Sequence, residues 1–174
     1  EKQTKMGRGG VTPLLYKTFS AEMQQALTDY CNRHGRLFVS GSYVATDLWQ
    51  NPLAASQKSD RDFATKVLKY AWRNDKASTI GKVKYVVSPL SESDKEVSYY
   101  NELNEESYAV ESPDAIVPTD SCAYTAFRYS ENNLSAGVAY KGDYKTCILG
   151  FPFEALRTAS EREALMRAIL TFFN

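Results

Sequence analysis

Apolar residues recur along this chain with two periods, and the switches between them outline its elements. From Ser20, the residues Met23, Leu27, Tyr30 and His34 return at helical spacing, with Ser20 placed to cap the start and Gly35 the end. The spacing predicts an amphipathic helix over 20–34. It leads at once into RLFVSG (36–41), a short β-favouring run that predicts a buried strand close behind its helix. After a loop carrying Pro52, Ser59 and Asp62 form an S-x-x-D start, and Phe63, Val67, Leu68 and Ala71 make the apolar face of a second helix ending near Arg73. VKYVV (83–87) then predicts a strand stopped by Pro89, and a helix between two strands is the crossover that parallel pairing requires.

The second half has a different rhythm. Residues 90–121 are an acidic and polar excursion, with SESDKEV, NELNEES, Pro113 and Pro118, and room for one or two short strands. AYTAFRYS, SAGVAYK and KTCILG follow at short spacing, separated by ENNL and GDY, which is turn chemistry for antiparallel hairpins. Ser160 and Glu163 form a capping box ahead of Leu165, Met166, Ile169, Leu170 and Phe173, predicting a C-terminal helix. Together these elements predict one α/β domain over 1–174: a mixed sheet, parallel early and antiparallel late, with helices on both faces.

Composition bounds this picture. The chain has 174 residues, 43% hydrophobic and 24% charged, which suits one globular domain able to bury about 70% of its unfolded surface without a metal or disulfide staple. Formal net charge is zero, but residues 1–90 hold 14 basic and 7 acidic side chains and residues 91–174 hold 7 and 14. Overall neutrality speaks against a dedicated nucleic-acid binder, and the split suits halves that attract each other across one domain. No apolar run approaches the ~20 residues of a membrane helix, and residues 1–10 lack the apolar core of a signal peptide. Cys31, Cys122 and Cys147 have no CxxC spacing, so no zinc site is indicated; a Cys122–Cys147 pair stays open if their strands are adjacent.

Candidate chemistry is sparse. His34 is the sole histidine, which excludes any site needing two imidazoles, and its place at a helix end suits contacts with the last carbonyls. Ser40, Gly41 and Ser42 end the first strand, at the kind of sheet edge where open α/β sheets bind ligands. Ser42 is the best-placed nucleophile, but its only nearby bases are carboxylates such as Asp47 or Glu154; the alternative is a Gly-Ser turn capping the next helical turn. Glu154 follows the last strand and could hold a substrate, or pair with Arg157. Twelve tyrosines and eight phenylalanines suit sugar stacking, yet the alternation in AYTAFRYS, Phe127 and Tyr129 on one face and Tyr124 and Arg128 on the other, favours core packing. No G-x-G-x-x-G or phosphate-loop pattern is present, so no cofactor is implied.

Three segments together, HGRLFVSGSYVATDLW, VAYKGDYKTCILGFPFEAL and SEREALMRAILTFF, resemble the class I glutamine amidotransferase-like domain, and more narrowly its versions in large secreted bacterial proteins labelled as xanthan lyases. The resemblance covers residues 16–50 and 122–174 and implies a three-layer, flavodoxin-like fold lacking its first strand–helix units. Active members of that family carry a G-x-C-x-G elbow and an H-x-E motif. Laid over them, Ser42 takes the nucleophile position, Val44 the second glycine, Pro152 the histidine, and Glu154 keeps the glutamate. Serine is a poor nucleophile at its free pKa and proline cannot accept its proton, so glutaminase activity is not expected.

What the resemblance implies is a catalytically degenerate binding or structural module of a larger secreted, periplasmic or cell-surface protein linked to polysaccharide. Ser42 and Glu154 are then the degenerate-site candidates, and Gly41, Tyr43 and Asp47 the ligand contacts. Its expected partners are neighbouring domains, a carbohydrate ligand, and a second copy through an exposed sheet edge. The alternative is a polysaccharide lyase, with a tyrosine base and Arg128 neutralising a uronate carboxylate.

Overall fold

The computed structural model describes residues 2–4, 14–16, 18–50, 57–86, 90 and 96–174. A short antiparallel pair, β1 (Lys2–Thr4) and β2 (Leu14–Tyr16), precedes α1 (Ala21–Asn32). Ser20 caps α1 as its spacing requires, its Oγ accepting from Met23 N–H at 3.3 Å. The chain leaves the helix through His34, in the left-handed region at φ 60. Its imidazole donates from Nδ1 to the Asp143 carbonyl at 2.7 Å, a turn between two later strands rather than the end of its own helix. β3 (Arg36–Ser40) and the short α2 (Thr46–Gln50) follow.

The second helix, α3, starts at Gln57 and widens into a π-helical segment over Phe63–Leu68. It stops at Lys69, left-handed at φ 67, so Ala71 and Arg73 fall in a strand, β4 (Tyr70–Asn74), instead of extending the helix. β5 (Lys82–Tyr85), β6 (Glu96–Ser98), β7 (Ala115–Pro118), β8 (Ala123–Tyr129), β9 (Ser135–Lys141) and β10 (Lys145–Leu149) complete the strands. α4 (Ala159–Phe173) closes the chain. Its capping box is Thr158 with Glu161, two residues earlier than the Ser160–Glu163 pattern. The turn at Pro52, the stop at Pro89 and the acidic stretch 91–95 lie outside the described residues.

The topology corrects the flavodoxin-like expectation. The main sheet is a curled six-strand sheet in the order β3-β10-β9-β8-β5-β6, and among the described residues β3–β10 is its sole parallel pair. The strand expected to run parallel beside β3 is β5, and it lies antiparallel between β8 and β6, with Val83 opposite Tyr129 and Val97. The helix after β3 delivers the chain to β4, which pairs with β7 in a separate two-stranded sheet. With few, short helices there is no continuous helical layer on each face among the described residues. The hairpin turns and β3 together decide this: β8, β9 and β10 form an antiparallel meander, β3 occupies its β10 edge, and β5 adds at the β8 edge that is left.

The sheet is nonetheless buried on both faces. Cys147 and Ala139 face a core completed by Leu165, Ile169 and Phe172 of α4. Ile148 and Val138 face the opposite core, completed by Phe19, Leu48, Phe63, Leu68, Tyr70 and Ile116. Two register shifts in β8 let Ala126 and Phe127 both bury, and Tyr129 is buried with them. The cysteines are free; β9 separates β8 from β10, which puts Cys122 and Cys147 two strand spacings apart, roughly 10 Å and beyond disulfide reach. Lys69–Asp120 at 3.0 Å and Lys82–Glu96 at 3.4 Å join the basic first half to the acidic second. No described helix is long and apolar enough to cross a membrane.

Candidate functional site

Parallel pairing of β3 with β10 carries both chains out of the sheet at the same edge, with Ser40 opposite Leu149. The two loops are laced together: Gly41 N–H donates to Phe151 O at 3.2 Å, and Phe153 N–H donates to Ser40 Oγ at 3.3 Å. Ser42 and Glu154, 112 residues apart in sequence, therefore belong to neighbouring loops. Glu154 lies in a 3-10 turn, Phe153–Ala155, with Pro152 extended before it.

The β3–α2 loop is held from below by a residue that sequence patterns did not single out. Asp114, fully buried just before β7, accepts from Ala45 N–H at 2.7 Å, Thr46 N–H at 3.0 Å and the Thr46 hydroxyl. Trp72 Nε1–H donates to Thr46 Oγ1 at 3.0 Å, and Tyr70 OH to Val44 O at 2.6 Å. Asp114 in turn is tied to the end of β10 by its N–H, which donates to Gly150 O at 2.7 Å, and to β8 by Tyr129 OH, which donates to the Asp114 carbonyl at 2.8 Å. A Cβ at residue 150 would collide with that carbonyl, so glycine is required by close approach. Burial pushes the Asp114 carboxyl up, and its three hydrogen bonds pull partly back. An acid between Pro113 and the apolar run Ala115–Val117 is an unusual neighbour for a buried strand, and that was the available signal.

So anchored, the loop puts Tyr43, not Ser42, in the left-handed conformation, at φ 63. Tyr43 is 47% exposed. The Ser42 hydroxyl is buried and finds no hydrogen-bond partner among the protein groups described. His34 sits at the opposite end of β3, so no imidazole is within reach of Ser42. Asp47 accepts from Thr18 N–H at 2.8 Å, bracing the approach to α1.

Glu154 does not pair with Arg157. Its Oε1 accepts from Tyr108 OH at 2.7 Å, and Tyr108 is 53% exposed. Partial burial first, then this hydrogen bond, push the Tyr108 phenol up. Arg157 instead lies 3.5 Å from Glu102 and over the Tyr100 ring at 5.3 Å. Arg128 is committed to the Asn133 carbonyl at 2.7 Å in the β8–β9 turn. Tyr108 stands within the acidic excursion, where no periodic pattern marks it. No group of His, Cys, Asp and Glu able to hold a metal occurs among the described residues.

The edge thus combines an aromatic residue on a braced, left-handed turn with a second exposed tyrosine bonded to a carboxylate, on a mixed α/β scaffold. No family model and no curated protein sequence matches the chain.

Proposed function

We propose that the chain is a carbohydrate-binding module without hydrolytic turnover, whose ligand surface is formed by Tyr43, Tyr108 and Glu154 at the shared end of β3 and β10. The observation that carries the reading is Tyr43. A tyrosine at φ 63 is a strained choice for a turn, yet Asp114, Tyr70 and Trp72 brace that turn while the ring remains outside. Exposed tyrosine faces suit the apolar face of a sugar ring, and the carboxylate bonded to Tyr108 can accept from sugar hydroxyls. Gly41 and Ser42 complete the edge. The absence of turnover is supported by chemistry: Ser42 has no base, and proline stands where the resemblance asks for histidine. A place in a larger secreted bacterial protein is suggested by the resemblance alone.

Calorimetric titration against a panel of neutral, amine-bearing and uronate-bearing oligosaccharides tests the reading. Binding to at least one class, weakened about fivefold or more by Tyr43→Ala and by Tyr108→Ala, is the expected result. No binding across the panel overturns it, as does a glutaminase activity abolished by Ser42→Ala.

A further inference from the structure

β3 ends the six-strand sheet, and two bonds at its ends reveal which way its backbone faces. Lys145 N–H donates to Gly35 O at 3.1 Å, and Gly41 N–H donates to Phe151 O at 3.2 Å. Residues 35, 37, 39 and 41 therefore turn their N–H and C=O toward β10, and Arg36, Phe38 and Ser40 turn theirs outward. At Arg36 both outward groups are taken by one side chain: the Tyr30 hydroxyl accepts from its N–H and donates to its C=O, each at 3.2 Å. At Phe38 and Ser40 no described strand lies beyond. The side chains tell the same story. Leu37, Phe38 and Val39 pack on the cores but stay half-buried, and the strand carries no proline and one charge, so its edge is unguarded beyond Tyr30.

We propose that this edge pairs with β3 of a second copy of the chain, antiparallel, about a two-fold axis through the Phe38 rung. Self-complementarity is the argument for that occupant. Phe38 presents a donor and an acceptor in the same direction, so two copies facing each other exchange both bonds. That register sets Arg36 opposite the partner's Ser40, and no like charges meet. It also lays one half-buried apolar row against an identical one. The opposite edge is already occupied: β6 is three residues long, Ser98 C=O accepts from Arg157 N–H at 2.9 Å, and Ser98 N–H donates to Glu161 at 2.8 Å. Tyr30, 41% exposed on α1, swings off Arg36 when the outer rungs close. Pairing is thus a competition between an intramolecular cap and the partner's Ser40.

Sedimentation equilibrium of the chain over micromolar to millimolar concentration, with amide exchange followed by NMR, tests this. The expected result is a monomer–dimer equilibrium in which exchange at Phe38 and Ser40 slows as concentration rises. Two variants fix the register. Ser40→Lys and Ser40→Glu both lose the Ser40 Oγ bond to Phe153 N–H, but place like and opposite charge against the partner's Arg36. The Glu variant should dimerise about fivefold or more tighter than the Lys variant, with the gap closing in high salt. A wild-type chain that is monomeric throughout, with concentration-independent exchange at Phe38, overturns the proposal. A dimer indifferent to both charges overturns the β3 register.

Discussion

Replacing Asp114 by alanine would strip three hydrogen bonds from the β3–α2 loop at once, two from backbone N–H groups of Ala45 and Thr46 and one from the Thr46 hydroxyl. An orphaned buried N–H costs about 1–3 kcal/mol, and since Ala45 N–H is buried and Thr46 N–H only partly so, the two amides amount to at most roughly 2–6 kcal/mol. Part of this is returned, because burial already disfavours the Asp114 carboxylate and the Asp75 charge that acts on it has the same sign. A net loss of about 3 kcal/mol remains, which for a chain of this size lowers Tm by roughly 6–12 °C. Asp114→Asn should behave differently. Its amide oxygen still accepts from both backbone N–H groups, its NH2 can donate to Thr46 Oγ1, and no buried charge is left, so its loss should stay within about 1 kcal/mol. Urea unfolding measures both values. Hydrogen exchange should show Val44 to Thr46 opening in the alanine variant while β8 and β9 stay protected. An alanine variant that loses under about 1 kcal/mol, or equals the asparagine variant, would refute the claim that Asp114 braces the loop.

Two further outcomes follow from buried and bonded groups. Burial alone would raise the Glu161 carboxyl, but bonds from Thr158 and Ser98 outweigh it and leave it below its usual value. Its stabilising contribution is therefore complete above pH 4.5, the unperturbed value, and is lost as pH falls through the lower folded value. Urea unfolding at descending pH should show wild type losing stability more steeply than Glu161→Gln; equal slopes refute the linkage. Among the thiols, burial pushes Cys147 up to about 12 and Cys31 up to about 11, whereas Cys122 is exposed. A thiol reagent at mildly alkaline pH should modify Cys122 quickly and the other two only after unfolding; rapid reaction at Cys147 would contradict its placement in the sheet core.

Much of the element list was legible from local chemistry. Ser20 caps α1, β3 follows at Arg36, and β8, β9 and β10 lie close to the segments bounded by ENNL and GDY. Boundaries slipped where a long-range partner competed. The α4 cap moved to Thr158 because Glu161 also accepts from Ser98 N–H at 2.8 Å and Ser98 Oγ at 3.0 Å, tying the helix start to β6. The second helix ended at Lys69, whose ammonium reaches Asp120 at 3.0 Å, and not near Arg73. At the site, the loops bearing Gly41, Ser42, Tyr43 and Glu154 were marked by their positions at strand ends. Tyr108 and Asp114 were not, since the groups they bond are 46 and 68–69 residues away in sequence.

By itself, then, the sequence determined α1, β3, the C-terminal helix and the turns between β8, β9 and β10, because caps, periodicity and turn residues act within a few positions, whereas β4 was read as helix. Tertiary structure decided which strands are neighbours, in which direction they run, and which residue crowns the edge turn. A period of two says which side chains share a face, but not which strand lies opposite or whether it is parallel. That choice came from the meander of β8 to β10, which left β3 a parallel place beside β10 and sent β5 to the far side. Bonds between groups 68–69 residues apart likewise put Asp114 beneath the loop that carries Tyr43.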